Sequence, residues 1–132
     1  MLANASIDVD ATLTPSGGTA TSLASLGNTL LEHDLFLDDG SEFIAQSGIS
    51  CSIKTPKVSA SAPNGYTQKR CTLLFKVPLA LDNGNYTVNT VSINLAVDVE
   101  TTSAEITSML VSAAQFLTDS DFSDFWTKQS LA

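Results

Sequence analysis

The chain has few basic residues, and most of them lie in one stretch. Six Lys and Arg stand against fourteen Asp and Glu, for a formal net charge of -8. Between Ile44 and Leu81 there is no Asp or Glu, yet this stretch holds five of the six basic residues: Lys54, Lys57, Lys69, Arg70 and Lys76. Charge sorted in this way predicts a local positive field that attracts RNA or DNA. The alternative is that these residues protect exposed strand edges from aggregation.

Metal-ligating and catalytic residues are scarce. The cysteines Cys51 and Cys71 and the single histidine, His33, are too few and too far apart for a zinc site. Buried free thiols are expected rather than a disulfide, because a reducing cytosol disfavours such bridges. His33 lies between Glu32 and Asp34 without a nucleophile motif beside it, as in a solvated strand residue. We therefore predict that the chain is not an enzyme and carries no metal or cofactor.

Long hydrophobic runs are also missing. No apolar stretch is long enough to cross a bilayer, although 43% of the residues are hydrophobic. The first residues, MLANASIDVDATL, lack the basic start and continuous apolar core of an export signal. We expect a soluble protein made and retained in a cytosol, with 132 residues in one domain.

Alternating polar and apolar residues predict an antiparallel meander. The alternation is clear in residues 49–54, 70–77 and 88–99 and weaker in residues 7–13, while residues 19–28 are not assigned. A loop is expected from Pro78 to Tyr86, before the longest strand. Turn signals separate the segments at Ser16-Gly17-Gly18, Asp39-Gly40, Asn64-Gly65 and Asn83-Gly84. The pattern gives a sheet with one apolar and one polar face.

The hydrophobic period changes after Thr101. Thr102 and Glu105 have the spacing of a capping box, followed by apolar residues at helical intervals. This predicts a helix from about Ser103 to Leu117 and a second, short helix with Phe122, Phe125 and Trp126 on one face. Strands followed by helices indicate an α+β fold.

Two helices cannot readily cover a sheet of five or six strands. The predicted solution is an intertwined dimer, in which the helices of each subunit pack on the partner's sheet. The alternative is that the helices fold back on the sheet of their own subunit.

The order of these segments resembles the coat proteins of small single-stranded RNA bacteriophages, the levivirus-like group. The resemblance rests on Ile49–Lys54, Lys69–Pro78, the long alternating strand and the Thr102-to-Glu105 helix start. It covers roughly residues 44 to 128. It implies a single coat-protein domain over residues 1–132, with an N-terminal hairpin in 1–28, the sheet in 29–100 and the helices in 102–128.

The resemblance also implies a function. Members of this family form intertwined dimers with a continuous ten-stranded sheet, helices outside and the sheet facing RNA. The dimers build an icosahedral shell, usually T=3, that encapsidates the genome in the virion. They also bind an RNA hairpin as translational repressors. Assembly is expected in the host bacterial cytoplasm.

The family's RNA face carries hydroxyl and basic residues on neighbouring strands. Where the family has a second lysine, this chain has Leu74, and Val88 replaces a stacking tyrosine. The position of an asparagine on the last strand is assigned to Thr90. Adding the nearby charges gives the predicted RNA-binding set Ser50, Ser52, Lys54, Arg70, Thr72, Lys76 and Thr90. The alternative function is a non-viral dimeric α+β module that binds a small ligand or peptide on the same polar face.

Overall fold

The computed structural model describes residues 2–131 and contains one sheet and two α-helices. Helix α1 spans Ser103–Thr118 and α2 spans Ser123–Lys128. The predicted α+β class is confirmed. Strands β1 to β5 span Leu23–Asn28, Glu32–Leu37, Gly48–Lys54, Lys69–Ala80 and Tyr86–Val97.

The chain divides into two compact units. Gly18–Val99 form one unit, which contains the whole sheet. The two ends of the chain, up to Gly17 and from Glu100 onwards, form the other unit, which contains both helices. Among residues 2–131, no helix combines the length and the hydrophobicity needed to span a membrane. A single coat-protein domain stays a prediction.

The strands pair in sequence order and every pairing is antiparallel, which confirms the predicted meander. β4 and β5 have 12 residues each. They pair without interruption from Lys69↔Val97 to Ala80↔Tyr86. Gly84, in the turn between them, has φ of 85°, a conformation that glycine adopts without steric cost.

The apolar face of the sheet is poorly covered within a single chain. Leu73 is 36% exposed, Ile93 38% and Val91 51%, and among the described hydrophobic residues only Val97, at 6%, is buried. Alternate side chains point to opposite sides of a sheet, so the pairing register defines this face. Its members include Leu35, Ile49, Cys51, Ile53, Cys71, Leu73, Phe75, Val77, Val91, Ile93, Leu95 and Val97.

The N-terminal hairpin lies later in the chain than predicted. Residues 7–13 form no strand, and the hairpin consists of β1 and β2, over residues 23–37. The turn between β1 and β2 contains no glycine, so the usual turn signal is absent. A bulge between Ser25 and Gly27 interrupts the pairing and breaks the alternation that identifies a strand.

The connection before the last strand is shorter than the predicted Pro78–Tyr86 loop. β4 continues to Ala80, and the turn contains only residues 81–85. Proline has no backbone N–H and is tolerated in strands where one edge is unpaired. Pro78 meets this condition because the β3–β4 pairing ends at Gly48↔Lys76, and beyond it β4 pairs with β5 alone.

Helix α1 begins at Ser103, as the sequence predicts, whereas α2 begins only at Ser123, so Phe122 lies before it in a 3₁₀ turn. The Glu105 N–H donates to Thr102 Oγ1 at 3.2 Å, and the Thr102 N–H donates to Glu105 Oε1 at 3.4 Å. This reciprocal pair is the predicted capping box. A 3₁₀ turn precedes α2, and Asp119 caps it by accepting a hydrogen bond from the Asp121 N–H at 2.9 Å.

Gln115 of α1 holds the N-terminal segment. Its side chain is 7% exposed. The Gln115 Oε1 atom accepts from the Asp8 N–H at 2.6 Å, and Nε2 donates to the Asp8 carbonyl at 2.6 Å. One side-chain amide thus satisfies backbone groups that a neighbouring strand would satisfy in a sheet. At Asp8, a side chain therefore takes the place that a paired strand would have.

Replacing Gln115 with Met should release the N-terminal segment. Methionine has a similar size but cannot bond the Asp8 backbone, so the free energy of unfolding should fall by about 1–3 kcal/mol. The Asp8 amide should also lose protection in hydrogen exchange. Gln46→Met, in the connection between β2 and β3, is the matched control. Equal stability and equal Asp8 protection in the two variants would contradict this role for Gln115.

Candidate nucleic-acid interface

The RNA-binding residues predicted from the sequence lie on one face of the sheet. Alternate residues of a strand share a face, and directly paired residues on neighbouring strands do so as well. The pairs are Lys54↔Arg70 and Ser52↔Thr72 between β3 and β4, and Lys76↔Thr90 between β4 and β5, with Ser50 two residues before Ser52. The register therefore brings all seven predicted residues to the polar face.

A small cavity on the polar face lies beside the Lys54–Arg70 pair. Its volume is about 170 Å³, and it is lined by Lys54, Arg70, Thr72 and Asn94 together with Leu95 and Ala96. Thr72 Oγ1 donates to Asn94 Oδ1 at 2.8 Å. This bond engages the amide oxygen of Asn94 and leaves its NH₂ group as the donor for a ligand.

Asn94 is a candidate residue that the sequence reasoning missed. The resemblance assigned the asparagine position to Thr90, whereas the structure places Thr90 opposite Lys76 and Asn94 opposite Thr72. Counting outwards from the Asn83-Gly84 turn would have found this pairing, because the hairpin has no bulge between β4 and β5.

The basic residues of this face are available to a ligand. Lys54, Arg70 and Lys76 are exposed, and none of them forms an ion pair with another described residue. Exposed cations without a carboxylate partner are not neutralised by their neighbours and therefore attract phosphate groups.

Two acids also lie on the polar face, where the sequence reasoning did not place them. Glu32 pairs with Ser52, and Asp34 pairs with Ser50. Ser50 Oγ donates to Glu32 Oε1 at 3.2 Å. The face therefore has a basic stripe on β3 and β4 and an acidic stripe on β2. The signal was present in the sequence, since Glu32 and Asp34 alternate with apolar Leu35 and Leu37.

A third acid, Asp98, follows the long strand β5. The last pair of the β4–β5 ladder is Lys69↔Val97, so Asp98 lies just beyond the end of β5. The Asn64 side chain donates to Asp98 Oδ1 at 2.8 Å. This acid is therefore at the margin and already has a hydrogen-bond partner.

Histidine and cysteine lie elsewhere in the sheet. His33 Nε2 is 2.9 Å from Ser25 Oγ, an interaction between β2 and β1. Cys51 and Cys71 are free thiols in the structure. Cys51 is half-buried, but Cys71 is exposed rather than buried as predicted.

Comparison with solved structures identifies the class of protein. A chain of the virus-like particle of bacteriophage GQ-907 has a TM-score of 0.88 and 25% sequence identity, and the match covers 100% of both chains. A chain of the virus-like particle of bacteriophage AVE019 has a TM-score of 0.67 and 13% identity, covering 84% of this chain and 86% of that chain. For the virus-like particle of Wenzhou levi-like virus 1 the values are 0.52 and 14%, covering 83% and 92%.

No protein-family model matches the chain, and no curated protein matches it by sequence. The structural match nevertheless extends over the whole length of the chain. The resemblance seen in the sequence is confirmed: the chain has the fold of chains from levi-like phage particles. The prediction that it is not an enzyme is confirmed as well, since the matching chains belong to phage particles.

Proposed function

We propose that the chain is the capsid protein of a single-stranded RNA bacteriophage and assembles as homodimers into an icosahedral shell of T=3 geometry. Its location is the virion, with assembly in the host bacterial cytoplasm. The observation that carries the proposal is the full-length structural match to the GQ-907 virus-like particle.

The exposed apolar face supports the dimer. Burying one large apolar side chain contributes about 1.5–3 kcal/mol, so a face of this size left in water is a strong drive to association. In the proposed dimer, the helices of a second copy cover this face. Helix residues with exposed apolar side chains suit that role, among them Met109 at 48%, Phe116 at 42% and Trp126 at 52%.

The free edge of β5 offers a second contact. Among the described strands, β5 is at the end of the sheet and pairs only with β4. An unpaired edge of 12 residues presents a row of backbone donors and acceptors that another strand can satisfy. Pairing of two β5 strands would join the two sheets into one with ten strands and would make the polar faces continuous.

Electron microscopy tests the assembly. Negative-stain images of the purified full-length protein should show uniform closed shells, because a closed lattice repeats the same contacts. Light scattering of the same sample at lower concentration should show dimers as the smallest stable species. Dimers without shells under all conditions would contradict the capsid function and favour a dimeric ligand-binding module.

We further propose that the polar face binds the packaged RNA. Lys54, Arg70 and Lys76 neutralise phosphates, and the hydroxyls and the Asn94 amide bond to phosphates or to unstacked bases. Three cations per subunit are few, but weak contacts repeated across a shell give strong total binding. A single RNA hairpin on one dimer would bind the same residues, with Ser52 and Thr72 contacting bases. Binding of this hairpin would be the step that represses translation.

Replacing Lys54, Arg70 and Lys76 together with Ser should reduce packaged RNA. The slope of log affinity against log salt should become shallower by about 0.7 to 1 for each phosphate that is no longer neutralised. Stability should change by less than about 0.5 kcal/mol per site, because these side chains are exposed. The matched variant Ser52→Ala with Thr72→Ala should weaken preference for a hairpin more than bulk RNA content. Unchanged RNA content in the triple variant would contradict an RNA-facing polar face.

Replacing Glu32 with Gln should strengthen RNA binding. The change removes a negative charge from the polar face but keeps an acceptor for the Ser50 hydroxyl. One charge near the surface is worth roughly 1 kcal/mol, so affinity for short oligouridine RNA should rise about fivefold. Glu42→Gln, in the connection between β2 and β3, removes the same charge away from the strands and should have a smaller effect. Equal effects of the two substitutions would show that only net charge matters.

A further inference from the structure

A second cavity is lined by the Lys54–Arg70 pair as well. Its volume is about 340 Å³, and it is formed at the end of β3 and the start of β4. Three cations, Lys54, Lys57 and Arg70, line it together with polar Thr55, Thr67 and Gln68 and apolar residues that include Ile53. Lys57 is the cation that belongs to this cavity alone, since the smaller cavity on the polar face is lined by Lys54 and Arg70 but not by Lys57.

The backbone at Lys57 is held in place. The Lys57 N–H donates to Thr67 Oγ1 at 2.8 Å, and the Thr67 N–H donates to the Lys57 carbonyl at 2.7 Å. The next pair in the loop, Val58↔Tyr66, forms an isolated β-bridge. These contacts close the base of the β3–β4 loop, so the backbone from which the Lys57 side chain extends is held beside the cavity. A fixed backbone lowers the conformational entropy that is lost when the side chain binds a ligand.

The composition of the cavity suits a phosphate group. Lys57 is exposed and forms no ion pair with another described residue, as is true of Lys54 and Arg70. Three cations gathered without a counter-charge repel one another, and a bound anion relieves that repulsion. Arginine supplies a planar fork that matches phosphate oxygens, and lysine adds a compact charge.

We propose that this second cavity, hereafter the Lys57 cavity, binds a phosphate of an RNA strand that passes over the Lys54–Arg70 pair as it leaves the polar face. The two cavities share these two cations, so one strand can place a phosphate in each cavity. The inference rests on the proposed RNA binding and extends it by one phosphate site that the predicted RNA-binding set does not include.

The test compares two lysines that differ in position but not in charge. Lys57→Ser removes the cation of the Lys57 cavity. Lys69→Ser is the control. Lys69 pairs with Val97 on the apolar face of the sheet and does not line the cavity. The affinity of each full-length variant for short oligouridine RNA is measured by fluorescence anisotropy over a range of salt concentrations.

Lys57→Ser should make the salt slope shallower by about 0.7 to 1, the value for a single phosphate, whereas Lys69→Ser should leave it unchanged. Lys57→Arg should restore the slope, because the charge is kept. If Lys57→Ser and Lys69→Ser behave alike while the Lys54, Arg70 and Lys76 triple variant loses affinity, the Lys57 cavity is overturned and the proposed function stands. If the unsubstituted protein does not bind oligouridine at all, both the Lys57 cavity and the proposed RNA binding are overturned.

Discussion

The register between β3, β4 and β5 is the constraint on which the rest of the structure depends. Each strand alternates polar and apolar residues, and the side-chain period of a strand is two. A slip of one residue between β3 and β4 would turn Lys54 and Thr72 toward opposite faces. The observed pairs Lys54↔Arg70 and Thr72↔Asn94 instead put charges and hydroxyls together and leave the large apolar side chains on the other side.

Both proposed roles of the sheet follow from this separation. In the proposed dimer a second copy covers the exposed apolar face, whereas the polar face stays free for a polyanion. The acidic stripe formed by Glu32 and Asp34 refines the second role, because it limits the positive field to β3 and β4. A protein with a net charge of -8 can then attract RNA at one place without a basic surface elsewhere.

The sequence predicted the elements whose signals are local. The capping box at Thr102 and Glu105 fixes the start of α1, and the Asn83-Gly84 turn fixes the longest hairpin. It did not predict features that depend on a partner across the fold. Alternation in residues 7–13 indicates extended backbone, but the partner of that backbone is the Gln115 side chain rather than a strand. Likewise, Asn94 is assigned to the candidate interface by its pairing with Thr72 across β4 and β5.

The two free thiols make the apolar face sensitive to oxidation. Cys71 is exposed in the single chain, and Cys51 on the neighbouring strand is half-buried. In the proposed dimer, both would be shielded by the helices of the second copy. Oxidation of an accessible thiol converts a small apolar side chain into a polar or bulky one, which a packed surface does not tolerate. In that dimer, oxidants would reach Cys71 only before the second copy binds, and association would end that exposure.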